Sequence, residues 1–161
     1  MSRHGKIVAL DQLPELSASA RAAGRKLVAT NGCFDLLHVG HVRYLQAARE
    51  VGDLLVVGVN GDTSVRALKG EGRPLNHECD RAEVLAALAC VDHVVIFSEQ
   101  RATRFLERVH PSIYVKGGDY TPETLDPEER VALQQIGSEI RIIPFAAGYS
   151  TTGLLQQMHS K

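Results

Sequence analysis

Short apolar runs alternate along this chain with stretches whose apolar residues recur every three or four positions. The runs are of strand length: Leu27 to Asn31, Asp53 to Asn60, His93 to Phe97, Ile113 to Lys116 and Glu139 to Phe145. Most are apolar nearly throughout, and Leu54 to Val57 has no polar residue, the pattern of strands covered on both faces. Helical spacing marks Leu13 to Ala23, Val39 to Val51, Arg81 to Cys90, Arg101 to Val109, Pro127 to Ile136 and Thr151 to His159. The alternation predicts an α/β domain, a parallel five-stranded sheet with helices on both faces. Gly24, Gly52 and Gly137 each follow a helical stretch, as C-terminal glycines do, and Pro14 suits the first turn of the first helix. Val84, Leu85 and Leu88 read as one core-facing stripe.

Composition narrows the class. The chain has 161 residues, enough for one domain with its own core, and a net charge of 18 − 19 = −1. Apolar residues at 44% and charged ones at 23% are ordinary for a globular protein, which disfavours disorder, collagen-like repeats and charge-driven nucleic-acid binding. Cys33, Cys79 and Cys90 are an odd set without a CxxC pair, so neither a disulfide framework nor a thiolate zinc site is expected, and a reducing cytoplasm fits best. No apolar run approaches the roughly 18 residues that would span a bilayer, so no membrane association is expected.

The chemistry concentrates where the first strand ends. Thr30 to His41 reads TNGCFDLLHVGH and runs from that strand into the next helix. In an open parallel sheet the ligand crevice lies outside the carboxyl ends of the strands. His38 and His41, three apart at a helix start, put two imidazoles over backbone N–H groups that lack intrahelical partners, and Gly40 between them leaves room for close approach. Free N–H groups and the positive end of the helix dipole suit a phosphate. A zinc site using His38, His41 and Asp35 is the rival reading, and coincidental surface histidines are the plain one. GYSTT, Gly148 to Thr152, offers a second anion-binding helix start with Ser150 as N-cap, although a plain cap is the simpler reading of it alone. Two such starts favour a polyphosphate shared between them. Lys69, Arg73 and Arg81 are candidate phosphate cations, and Gly117 and Gly118, in the KGGD run Lys116 to Asp119, would let a base or ribose approach the backbone while Asp119 accepts a hydrogen bond. There is no GxxxxGK[ST], and no GxGxxG follows the first strand, which weakens kinase and dehydrogenase readings.

These residues resemble a known family. The run from Thr30 to His41 resembles the HxGH motif of the cytidylyltransferase-like nucleotidyltransferases, and Gly148 to Thr152 resembles their C-terminal STT motif. Similarity from Lys6 through GVNGDTSV, GEGRPLN, DRAEVLAAL, VKGGDY and GYSTT extends over nearly the whole chain and looks like the heptose 1-phosphate adenylyltransferases. In many bacteria that domain is fused to a sugar kinase, which this sequence lacks, so it resembles the stand-alone form.

The resemblance implies a single Rossmann-like, doubly wound domain over residues 1–161, with 1–25 as a helical lead-in and 27–159 as the core. It implies attack by a sugar 1-phosphate on the α-phosphorus of ATP, releasing pyrophosphate, in a cytoplasmic homodimer with Mg²⁺ carried by ATP and no metal ligand from the protein. His38, His41 and Lys69 would be catalytic. Thr30, Asn31, Gly32, Cys33, Phe34, Asp35, Gly40, Arg73, Arg81 and Lys116 would bind nucleotide or phosphate, Gly117, Gly118 and Asp119 would sit by the nucleoside, and Ser150, Thr151 and Thr152 would hold the β and γ phosphates. Thr124 to Ser138 matches the heptose family least well, and Tyr149 stands where related enzymes vary. Glycerol-3-phosphate cytidylyltransferase shares the same framework, and a non-catalytic nucleotide sensor is the alternative of another class.

Overall fold

A computed structural model describes residues 5–118, 120–145 and 147–160. Five parallel strands form one sheet: β1 (Leu27–Gly32), β2 (Leu54–Asn60), β3 (His93–Phe97), β4 (Ile113–Gly117) and β5 (Glu139–Ile143), in the order β3-β2-β1-β4-β5. This is the doubly wound, Rossmann-like arrangement, and the order reverses beside β1. The helices are α1 (Leu13–Ala22), α2 (Val39–Glu50), α3 (Asp62–Lys69), α4 (Glu78–Ala86), α5 (Thr103–Val109), α6 (Pro127–Ile136) and α7 (Thr151–His159), with a 3-10 turn at Leu10–Gln12 ahead of α1.

Each face of the sheet carries its own core. On one side Leu13 and Ala20 of α1, Phe105, Leu106 and Val109 of α5 and Leu133 of α6 pack on Ala29, Val56, Val95 and Tyr114. On the other, Tyr44, Leu45 and Ala48 of α2 and Ala82, Leu85 and Ala86 of α4 pack on Val28, Leu55, Val57, Val59, Ile113 and Val115. The period-two alternation of strand side chains makes this division, and being covered twice explains why all seven residues of β2 are buried. β5 is an edge strand, half-exposed, and ends at Ile143 instead of running to Phe145.

The helix ends follow local chemistry. Asp126 caps α6 by accepting from the N–H groups of Glu128 and Glu129, Pro127 takes the first position, and Gly137 closes the helix in the left-handed region at φ 77°. Two expectations are corrected. Gly52 has an ordinary φ; it is glycine because a Cβ there would lie 2.5 Å from Val28 Cγ2 and 2.9 Å from the Lys26 carbonyl oxygen. The helix expected from Arg81 begins at Glu78, and its buried side is Arg81, Ala82, Leu85 and Ala86, leaving Val84 about half exposed (52%). Leu85 and Leu88 face the core as expected; Val84 does not, because the buried Arg81 occupies part of that face.

Val84→Ser is therefore expected to change stability by less than about 0.5 kcal/mol, whereas Leu85→Ala, emptying a fully buried site, should cost about 2–5 kcal/mol. Urea denaturation of the two variants checks the assignment.

Candidate active site

β1 leaves the sheet between β2 and β4, and its last side chains point to opposite faces. Thr30, fully buried, shares a 2.7 Å hydrogen bond with the Tyr44 hydroxyl of α2, which also donates to the Val115 carbonyl at 3.2 Å. Asn31 turns the other way, and its Oδ1 accepts from the buried Tyr114 hydroxyl at 2.6 Å. The chain then bends through Phe34, which holds a positive φ of 48°, before α2 begins.

Asp35 organises the loop between α3 and α4. Its carboxylate accepts from the N–H groups of Leu75 and Asn76 and from Arg73 Nε at 2.8 Å, and its carbonyl accepts from Asn76 Nδ2. Burial alone would push the Asp35 pKa up, but these donors together hold it below the ordinary carboxylate value. The carboxylate that the zinc reading needs as third ligand is thus engaged with the loop. Among the described residues no group of three or more His, Cys, Asp or Glu side chains is placed to hold a metal ion.

Arg81 is not available to a phosphate, which corrects the expectation for it. The side chain is buried and donates to the carbonyls of Cys33 (2.6 Å), Asn60 (2.8 Å) and Asn76 (3.0 Å) and to Asp62 Oδ1 (2.8 Å). It is a structural cation under the site, tying the ends of β1 and β2 to the Asp35 loop and to α3.

The two histidines meet at the start of α2. The His38 N–H donates to His41 Nδ1 at 3.3 Å, and the ring centroids are 3.9 Å apart. With Nδ1 accepting, neutral His41 carries its proton on Nε2, so the ring offers a donor. Burial, then the neighbouring His38, pushes the His41 pKa down to about 4, and burial also lowers that of His38. His38 Nδ1 is buried without a hydrogen-bond partner. Gly40 makes room first for this pair's surroundings: a Cβ would lie 2.9 Å from the His38 ring and 3.0 Å from Tyr149 Cβ.

A cleft of about 820 Å³ opens over the carboxyl edge of the sheet, within the size range of small-molecule sites. Asn31 to Asp35 form its floor, and His41, Thr151 and Thr152 flank it. Lys69, the last residue of α3, and Arg73 stand on one rim; Lys116 and Gly117 lie at the end of β4. Burial raises the pKa of the Cys33 thiol, against the lowering influence of Lys69, Arg81 and Arg73.

His38, Gly40, Gly118 and Ser150 do not line the cleft, nor does Thr30. Ser150 caps α7 by accepting from the Gly153 N–H at 2.9 Å, and Thr151 Oγ1 donates to the Leu36 carbonyl, joining the two helix starts. Gly117 and Gly118 already carry a flat ring: a Cβ on either would lie 2.7 Å from Phe145. Asp119 lies outside the described residues.

The cleft also has walls that motif reading did not single out: Tyr44, Asn60, Gln100, Arg101, Tyr120, Phe145 and the carboxylates Asp126 and Glu129. Asn60 ends an apolar strand and Tyr44 follows His41 by one helical turn, which are the signals that could have found them.

A parallel sheet opened beside β1, with two helix N-termini at the opening, defines a Rossmann-like α/β fold, and the comparisons agree. The cytidylyltransferase-like family profile matches residues 29–156, and the chain belongs to that family. It is 51% identical over 155 residues to the bifunctional protein HldE of Geotalea uraniireducens and 50% identical over 153 residues to that of Geobacter metallireducens, covering 96% and 95% of this chain. In both cases the aligned region is 31% of the relative, so this chain spans about a third of their length. The crystal structure of a lipopolysaccharide core biosynthesis protein from Thermoplasma volcanium superposes with a TM-score of 0.63 at 28% identity, covering 76% of this chain and 98% of that one. A pantoate-beta-alanine ligase from Francisella tularensis shares the fold at TM-score 0.54 and 13% identity, covering 86% and 67%. No helix among the described residues is long and apolar enough to cross a membrane.

Two outcomes are expected. Arg81→Met leaves three carbonyls and Asp62 without their donor, so stability should fall by about 3 kcal/mol or more, roughly 6–12 °C in the melting midpoint, with no nucleotide present. Because folding depresses the His41 pKa, the folded chain refuses a proton that the unfolded chain accepts. Its contribution is fully present above the ordinary value of 6.5 and is lost as pH falls toward about 4. Melting curves across that window should show a smaller loss in His41→Asn than in the wild type.

Proposed function

We propose that this chain transfers the adenylyl group of ATP to a sugar 1-phosphate, D-glycero-D-manno-heptose 1-phosphate, to give ADP-heptose and pyrophosphate. The observation that carries the reading is the His41 imidazole at the start of α2, packed against the His38 ring and lining a cleft that the start of α7 also borders. The acceptor and base follow from likeness to the HldE proteins, supported by the solved structure described as a lipopolysaccharide core biosynthesis protein.

An oxygen of the acceptor phosphate attacks the α-phosphorus. One P–O bond forms as the bond from that phosphorus to the oxygen bridging to the β-phosphate breaks, and pyrophosphate leaves with the electron pair. The attacking oxygen is already ionised near neutral pH, so no general base is needed, and catalysis is alignment plus stabilisation of charge on the phosphoryl oxygens. His41 donates from Nε2 to the triphosphate; the backbone N–H of His38 holds its Nδ1, and the His38 ring, packed 3.9 Å away, keeps the His41 ring in place. Thr151 and Thr152, with the free N–H groups opening α7, take the β and γ phosphates. Lys69 and Arg73 supply positive charge at the rim as pyrophosphate forms. ATP enters as its Mg²⁺ complex, the ion being a part of the substrate. Gly117, with Phe145 against it, borders the nucleoside. A cytoplasmic homodimer completes the reading; light scattering of the purified chain tests the pairing.

Pyrophosphate release, measured for ATP, GTP, CTP and UTP against several sugar phosphates and glycerol 3-phosphate, tests the proposal. ATP with heptose 1-phosphate should be the fastest pair, and His38→Ala and His41→Ala should each lower kcat by at least about 100-fold. Faster turnover of CTP with glycerol 3-phosphate overturns the substrates; ATP binding without pyrophosphate release from any pair overturns the enzyme.

A further inference from the structure

The cleft has two sides, divided by the carboxyl edge of the sheet. On the α2 side stand the imidazoles and the start of α7, where the preceding reading places the leaving pyrophosphate. In-line displacement puts the attacking and leaving oxygens on opposite sides of the phosphorus, so the acceptor must approach from the side of α5 and α6.

That side is built as a polar binding surface. Tyr114 belongs to the core under α1, α5 and α6, and its hydroxyl, 2.6 Å from Asn31 Oδ1, occupies the oxygen of that amide. The group Asn31 offers the cleft is therefore its NH₂. Lys116 lies two residues beyond Tyr114 in β4, hence on the same face, with Nζ 5.9 Å from the centre of the Tyr114 ring and 4.9 Å from that of Tyr120. Glu129 of α6, 8% exposed, lines the cleft with one carboxylate oxygen held by the Ala102 N–H at 2.8 Å, and Gln100 lies at the approach to α5. A cation seated on aromatic rings, an amide donor, a fixed carboxylate and a second amide make a surface suited to a ligand with one phosphate and several hydroxyls. The buried carboxylate makes it a poor surface for a triphosphate.

We propose that the acceptor sugar phosphate binds on the α5/α6 side of the cleft: Lys116 takes its phosphate, Asn31, Gln100 and Glu129 read its hydroxyls, and Tyr114 is a positioning residue that fixes the Asn31 amide. This rests on the transferase reading above and extends it to the second substrate, which none of the comparisons places.

Steady-state kinetics with ATP and heptose 1-phosphate varied in turn test it. Tyr114→Phe, Glu129→Gln and Gln100→Ala should each raise KM for the sugar phosphate about tenfold, and Lys116→Met by more, with KM for ATP within about twofold of the wild type. Gln100 is exposed, so its variant tests the surface without disturbing the core. If Tyr114 acts through Asn31, the double variant Asn31→Ala/Tyr114→Phe should be no worse than Asn31→Ala alone. Additive losses overturn the positioning role. Wild-type turnover with variants that raise KM for ATP equally, or change neither KM, overturns the acceptor site alone. A wild-type chain that releases no pyrophosphate overturns the transferase reading and this site with it.

Discussion

The guanidinium of Arg81 holds the floor of the site together. Two strands that diverge at a sheet edge leave their last carbonyl groups without ladder partners, and a buried carbonyl without a donor is costly. One side chain answers two of them, Cys33 and Asn60, together with the Asn76 carbonyl of the loop between α3 and α4, and pairs with Asp62. Asp35 does the complementary work, accepting from the N–H groups of Leu75 and Asn76 and from Arg73. A buried cation and a buried carboxylate, each satisfied chiefly by backbone, fix the loop from α3 to α4 against the end of β1. The imidazoles, Lys69 and Arg73 are placed relative to one another by that frame.

On this frame the chemistry is arranged by charge. Burial lowers the pKa of both the His38 and His41 rings, so the pair is held toward the neutral form where two imidazolium rings 3.9 Å apart would repel. In the proposed reaction, attraction for a polyphosphate would come from the N-termini of α2 and α7 and from Lys69 and Arg73, with His41 supplying a directed hydrogen bond. With a chain near zero net charge, selection falls to local geometry instead of a global field.

Much of this was legible in the sequence. The five strands were placed within about two residues at each end, because doubly covered strands in a parallel sheet have to be apolar. The pairing of His38 with His41 and the cap at Ser150 follow from spacing at helix starts, which local geometry determines. Arg81 was misread because its partners are backbone carbonyls from three separate segments, and nothing in a sequence marks a carbonyl as orphaned. Of the expected stripe Leu85 and Leu88 do pack on the core, and only Val84 falls outside it, because Arg81 and Ala82 fill the buried face beside them. The Tyr114–Asn31 bond joins residues 83 apart, and a tyrosine inside an apolar strand looks like core until its hydroxyl has a partner. Gly117 and Gly118, at the end of β4 and just beyond it, were expected to let a base or ribose approach, and Phe145 already lies on them, a contact that only the fold brings about.

The proposed transfer requires His41, backed by His38, to grip the triphosphate at the phosphorus under attack. A crystal structure with an ATP analogue carrying a methylene bridge between the α and β phosphorus atoms tests this directly. The account predicts the α and β phosphates within hydrogen-bond reach of His41 Nε2, with the γ phosphate at the start of α7. Phosphates bound on the Lys116 and Glu129 side, away from both histidines, would contradict it.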